Sequence, residues 1–287
     1  MKTFWHKVNS NVEDIQINIG RKKSDPQDSE PSKAQIIRLP VWAEAVRGTP
    51  NSALRGALFS AIIPNKRKAL YKEMISDEKN LKIKFTGWQL DQGDRDVWEQ
   101  ALHMARQQPL GTDIYFSARG FLKSLGKTSI GKTQVEWLDG SLSRLLGCGV
   151  EITHEGYTYG GSLLEFERDE DTRHYKLSIN PKMMKLYDSG WTQNDFEERK
   201  KIGNKKYLAL WLHGYISSHA KIYPMKIETF HKLSGSSNIC MRSFKRQLLI
   251  ALEYLKTLNL IKNFDIKNNL IHIEKYPSES QKRYLEK

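Results

Sequence analysis

One order of elements occurs twice in this chain, and it restricts the fold more than any motif does. The clearer copy is the later one. GNKKYLALWLHGYISSHA reads as an amphipathic helix, KIYPM as a short extended segment, KIETFHKL as a short helix and Gly235 to Asn238 as a turn. ICMRSFKRQLLIALEYLKTLNL follows as a long helix, with Phe244, Leu248, Ala251, Leu252, Leu255 and Leu258 at helical spacing on one face. IKNFDIKNNLIHIEK then reads strand, turn at Lys267 to Asn269, strand. Helix, turn, helix and β-hairpin is the order of a winged helix.

The earlier copy is less regular. LPVWAEAVRGTPNSALRGALFSAI is rich in turn signals and small residues before it becomes apolar, and KIKFTGW (Lys82 to Trp88) alternates as a strand does. DQGDRDVWEQALHMARQQ opens on acids and stops before Pro109, which predicts a helix with Val97, Ala101, Met104 and Ala105 on its inner face. DIYFS predicts a short strand and ARGFLKSL a short helix. A second helix carries Val135, Leu138, Leu142, Leu145 and Leu146 on one face. VEIT, YTYGGSLLEFE and RHYKLSIN are predicted as three strands, with turns at His154 to Gly156 and Asp169 to Thr172, which puts Tyr157 and Tyr159 on a wing strand. The expected fold class is α+β: two tandem winged-helix domains, each a helix-turn-helix plus a β-hairpin wing. Residues 1–35, with Pro26 and Pro31 in a polar stretch, are expected to be a flexible arm and linker. The domains are expected at 36–189 and 190–287, split near Ser189–Gly190.

Charge narrows the partner. Lys and Arg number 46 against 33 Asp and Glu, a net charge of +13. From residue 190 to the end the balance is 18 against 9, so the excess gathers in the second copy. Such a field attracts polyanions, nucleic acid first and an acidic membrane surface second. No run approaches the ~18 apolar residues of a spanning helix, and the sequence opens without the apolar core of a secretory signal. Cys148 and Cys240 lie far apart, which excludes a disulfide framework and fits a reducing cytosol.

Candidate contacts follow from the two second helices, the elements that meet bases in this architecture. In the first copy Ser129, Thr133, Glu136, Trp137 and Arg144 lie off the apolar stripe, with Lys132 on its flank and Lys127 in the turn ahead. Hydroxyls, Lys and Glu can read base edges, while Arg and Lys can hold phosphates. An ordinary solvated face, or Trp137 packing on another element, would look the same. In the second copy Arg242 and Arg246 sit one turn apart with Lys245 beside them, a pattern suited to guanine O6 and N7. Ser243 and Lys256 are placed for phosphates. Arg199, Lys200, Lys201, Lys205 and Lys206 cluster near the split, as a backbone grip or as a solvated charge run.

Gly126 to Thr133 also fits G-x-x-x-x-G-K-[ST], the phosphate-cradling P-loop. That motif needs a buried strand before its first glycine and an alternating α/β sheet, and neither is predicted. The eight histidines form no metal pattern and there is no nucleophile elbow, so neither a catalytic site nor a cofactor is expected.

LPVWAEAVRGTPNSALRGALFSAI (Leu39 to Ile62), FTGWQLDQGDRDVWEQALHMAR (Phe85 to Arg106), PLG and SLSRLLGCGVEI resemble the TrfA family of plasmid replication initiators. The likeness runs from about Leu39 to near Asn180; the last third matches by element order and basic character. It implies binding to repeated origin sites (iterons), melting of an adjacent AT-rich region that exposes single-stranded DNA, and recruitment of the host initiator and replicative helicase. It also implies a monomer–dimer equilibrium that restrains copy number, in a bacterial cytoplasm. Some members carry a sliding-clamp motif. Gln16-Ile17-Asn18-Ile19 and Gln247-Leu248-Leu249-Ile250 echo it without the terminal Phe. A repressor of the same fold, or a nucleotide-driven enzyme using Gly126 to Thr133, are the alternatives.

Overall fold

Among the described residues the strands form five small sheets, packed with helices. A computed structural model describes residues 36–286 except 79, 80 and 155. The expected arm at 1–35, and Gln16-Ile17-Asn18-Ile19 within it, lie outside the described residues.

β1 (Val46–Pro50) comes first, then the antiparallel pair β2 (Ala69–Glu78) and β3 (Leu81–Trp88). β3 buries Leu81, Ile83 and Phe85 and exposes Lys82 and Lys84, the period-two pattern of a strand with one wet face. The sequence pattern does not predict β2. Its pairing slips between Leu70 and Glu73 and again between Met74 and Ser76, and Lys72 has a φ of 50°. Each bulge moves the following side chains to the other face, which erases the alternation.

α1 (Gln92–Ala105) starts at a capping box. The Asp91 carboxylate accepts from the amides of Gly93 and Asp94, and Asp94 returns the bond to the Asp91 amide. Val97 and Ala101 enter the core as expected. The polar side is buried as well: Asp94, Arg95, Glu99, Gln100 and His103 are all inside. α1 is therefore a central helix, with elements packed on both sides.

β4 (Ile114–Ser117), α2 (Ala118–Ser124) and α3 (Lys132–Leu146) follow. Ser117 caps α2 through the Gly120 amide at 3.1 Å. α3 buries Leu138, Ser141, Leu142 and Leu145 and half-buries Val135, while Leu146, expected on the same stripe, faces solvent.

The strands after α3 depart from the predicted set. β5 (Gly149–His154) and β6 (Tyr157–Gly161) join β2 and β3 in a four-stranded antiparallel sheet of order β2-β3-β5-β6. β7 (Glu165–Arg168) and β8 (His174–Ser178) join β4 in a second sheet, order β4-β8-β7. YTYGGSLLEFE is thus two strands in two sheets. The break falls at Ser162–Leu164, where Leu163 and Leu164 turn fully into the core. Tyr157 and Tyr159 lie in the four-stranded sheet, away from the β7–β8 hairpin. β9 (Trp191–Asp195), beyond the expected split, returns to pair with β1. The change of core occurs on α4 (Phe196–Ile202), whose Phe196 belongs to the first hydrophobic cluster and Ile202 to the second.

α5 (Tyr207–Ser217), β10 (Met225–Lys226), α6 (Ile227–Leu233), α7 (Met241–Thr257), β11 (Asn263–Lys267), β12 (Leu270–Glu274) and α8 (Glu279–Leu285) complete the chain. Their sheet order, β10-β12-β11, repeats β4-β8-β7. α7 buries Phe244, Leu248, Ala251, Leu252 and Leu255, with Leu258 half-buried. The β11–β12 turn is Asn268-Asn269, both at positive φ, as a tight two-residue hairpin requires.

Candidate nucleic-acid interface

The first turns of α1 decide which cations can face outward. Asp94 has no solvent exposure. It accepts from Ser141 Oγ at 2.6 Å and from Arg144 Nη2 at 2.7 Å, and Arg67 reaches the same carboxylate. Arg144, expected to point at phosphate, is thus folded back as a clamp between α3 and α1. Two residues further on, Asp96 holds Arg199 Nε at 2.5 Å. Arg199 also donates to the Gln92 carbonyl at 2.9 Å and the Leu210 carbonyl at 3.2 Å, and is buried. It therefore joins α4 to α1 and α5, and grips nothing outside. Residues two apart on a helix diverge by ~200°, so neighbouring acids serve opposite sides.

Between these clamps lies Arg95, fully buried, with Glu99 Oε1 at 2.6 Å. Burial, and then the charge of Arg199, pull the Arg95 guanidinium down to about 10. Burial works to raise the Glu99 carboxyl, but Arg95 and Arg199 outweigh it and hold it below its ordinary value. Thr49 adds a hydrogen bond at 2.7 Å.

Trp137 is half-buried beside Gly93 at the start of α1, and Lys127 Nζ stands 5.0 Å from its ring centroid. Both belong to the packing between α1, α3 and the turn before α3. Ser129, Lys132, Thr133 and Glu136 remain outward and exposed. Lys132 Nζ is 3.9 Å from Glu136 Oε1, an exposed pair of little worth that is open to exchange. The residues of G-x-x-x-x-G-K-[ST] form the turn from α2 to α3; a helix, not a strand, feeds Gly126, whose φ is +79° and which backs onto Lys200. The strand-to-helix cradle that motif needs is not the local structure.

α7 differs. Arg242 and Arg246 are exposed and Lys245 is half-exposed. Among the described residues none of these three has an ion pair or a hydrogen bond. Ser243 Oγ receives Asn238 Nδ2 at 3.3 Å, and Lys256 donates to Asn263 at 2.9 Å, so both are engaged locally. Lys205 and Lys206 are exposed ahead of α5, with Lys206 Nζ 4.9 Å from the Tyr254 ring centroid. Gln247–Ile250 is helical and its Leu248 is fully buried, so this clamp echo is not presented as a peptide. Among the described residues no group of His, Cys, Asp and Glu could hold a metal ion, and no helix is long and apolar enough to cross a membrane.

This division of held and free charge can be set beside known proteins. Residues 9–275 match the family model described as TrfA protein. The chain belongs to the TrfA family. A relative within the family, plasmid replication initiator protein TrfA of Escherichia coli, is 27% identical over 265 residues, covering 88% of this chain and 68% of the relative. Two crystal structures of domains 2 and 3 of RctB share the mixed α+β fold. One, a selenomethionine derivative, has a TM-score of 0.52 at 15% identity and covers 79% of this chain and 98% of that one. The other has a TM-score of 0.50 at 14% identity, with coverage of 78% and 97%. On this TrfA-family chain the Leu90–Glu99 segment of the family-like motif holds the cap and the first two turns of α1, which carry the clamps. Asp94 and Asp96, to which the sequence pattern gives no place in the site, are the two carboxylates that hold Arg144 and Arg199. The signal was two acids at i and i+2 in one helical turn, read there as helix-start signals.

Proposed function

We propose that the chain is a plasmid replication initiator of the TrfA family that binds iterons at its origin through two tandem winged helices. α3 and α7 are the recognition helices, and the β7–β8 and β11–β12 hairpins are the wings. The observation that carries this reading is the outward face of α7: three cations without partners among the described residues, opposite a continuous apolar stripe. A helix that meets base edges needs such a face. Lys132, Lys205 and Lys206 extend the cationic set. Local melting, contact with single-stranded origin DNA, recruitment of the host initiator and helicase, and a monomer–dimer equilibrium belong to the same reading, supported by family membership and by the relative's name.

Footprinting of the DNA flanking the chain's own gene tests it. The expected result is protection of a set of direct repeats. With Lys132, Lys205, Lys206, Arg242, Lys245 and Arg246 as the phosphate-competent set, the slope of log K against log salt should lie near −5. A flat salt response, or protection of no repeat, would overturn the reading. Magnesium-dependent ATP turnover lost in Lys132→Ala would favour the nucleotide enzyme instead.

A further inference from the structure

The turn between α6 and α7 presents an isoleucine almost wholly to water. Ile239 is 96% exposed, more than any other large apolar side chain described. A single surface apolar residue needs no explanation in itself, but this one stands on a fixed support. The His231 imidazole, near the end of α6, donates from Nε2 to the Asn238 carbonyl at 2.7 Å. Its ring packs edge-on against Phe244, centroids 4.8 Å apart, and Phe244 is fully buried. Asn238 Nδ2 in turn donates to Ser243 Oγ at 3.3 Å and to Gln247 Oε1 at 3.4 Å. The residue before Ile239 is thus tied to both helices, which holds Ile239 out at the mouth of α7.

Its surroundings say what it can meet. The first turn of α7 holds no acid, and the charges on its first two turns are the exposed Arg242 and Arg246 and the half-exposed Lys245. That combination suits a polyanion with an apolar feature at the depth a turn before a helix can reach. In the major groove the base edges offer hydrogen-bonding groups and one apolar group, the thymine C5-methyl. We infer that Ile239 seats against the C5-methyl of one thymine in the bound site and so selects thymine at that position. The inference rests on the reading of α7 as a base-reading helix and adds to it a contact of different chemistry, apolar rather than cationic.

The test uses the full chain and duplexes of the repeat it protects, each with a single thymine replaced by deoxyuridine. Deoxyuridine keeps every hydrogen-bonding group and loses only the methyl. The expected result is a loss of about fourfold at one thymine, the worth of one methyl withdrawn from water. Ile239→Ala should bind the all-thymine repeat about fourfold more weakly and show no further loss at that uracil. Ile239→Val, which keeps the branch, should retain most of the discrimination. Melting temperatures should match the parent chain, because the side chain is in water. If the parent chain binds every uracil duplex equally, or Ile239→Ala keeps the parent's thymine-to-uracil ratio, the contact does not exist. A chain that protects no repeat would instead sink the reading of α7 and this contact together.

Discussion

Arg144 grips Asp94 with two nitrogens at once: Nη2 lies 2.7 Å from Oδ1 and Nε 3.1 Å from Oδ2. The Asp94 side chain is fully buried and the Arg144 side chain keeps about a fifth of its exposure. Such a fork is strong and directional. Arg144→Ala leaves the buried charge to Ser141, the Asp91 amide and Arg67, and urea unfolding should show a loss of about 3 kcal/mol. The salt slope of DNA binding should not move. A slope shallower by one unit with unchanged stability would mean that Arg144 leaves Asp94 for a phosphate.

Arg242 and Arg246 should behave oppositely. On the proposed reading, Arg242→Ala and Arg246→Ala each cost about 1–3 kcal/mol of binding and relax preference at one base position. Lys205→Ala should weaken all sequences alike and shallow the salt slope by about one unit. Helix content should be unchanged in all three, since none is on an apolar stripe. The measurement is a panel of single-base variants of one repeat. Uniform weakening by the two arginine variants would move base reading to Ser129, Lys132, Thr133 and Glu136.

Much of this was legible in the sequence, and the failures share a cause. α3 and α7 show their buried stripes at helical spacing, and Asn268-Asn269 marks its hairpin by the positive φ that asparagine tolerates. β2 was hidden because two bulges break its alternation. The split of YTYGGSLLEFE was hidden because it depends on β5 pairing with β3 some seventy residues earlier, beyond any local pattern, which carries β6 into that sheet beside β5. Two of the cations were hidden in the same way. Arg144 and Arg199 look like solvated cations until a distant acid is found to hold them, Asp94 for one and Asp96 for the other. A hydrophobic wheel of α1 places those acids outside, because it has no means of recording a buried polar face.

Gly214 is a close-approach glycine on α5. An added Cβ would stand 2.3 Å from Arg95 Nη1, inside the buried Arg95–Glu99 pair. Gly214→Ala should lower stability by about 1–3 kcal/mol or more through overpacking. Thermal unfolding measures it. A variant as stable as the parent would show that α5 can move away from α1 at little cost.

His219 predicts an acid limit. Burial, against a hydrogen bond to the Tyr215 carbonyl at 2.8 Å, brings its imidazole down to about 4. The folded state then binds fewer protons than the unfolded chain between about pH 6.5 and 4. Its contribution to stability is therefore complete above pH 6.5 and is lost as pH falls toward 4. Buried His213 is lowered in the same direction, chiefly by desolvation. Urea midpoints should fall through this window, and His219→Gln should make the fall shallower. An unchanged pH profile in that variant would place the acid sensitivity elsewhere.

Asp94 and Asp96 sit on one turn of one helix, yet each restrains a different arm of the molecule. On the proposed reading, α1 then works as the pivot block of a caliper whose jaws are α3 and, reached through α4 and α5, α7. A change in that block need not alter what either jaw touches; it alters the gap between them. On duplex DNA a gap is counted in base pairs and in angular phase around the axis. Related chains that recognise identical half-sequences at different spacings are then expected to differ in this short acidic turn, with their base-contacting residues unaltered.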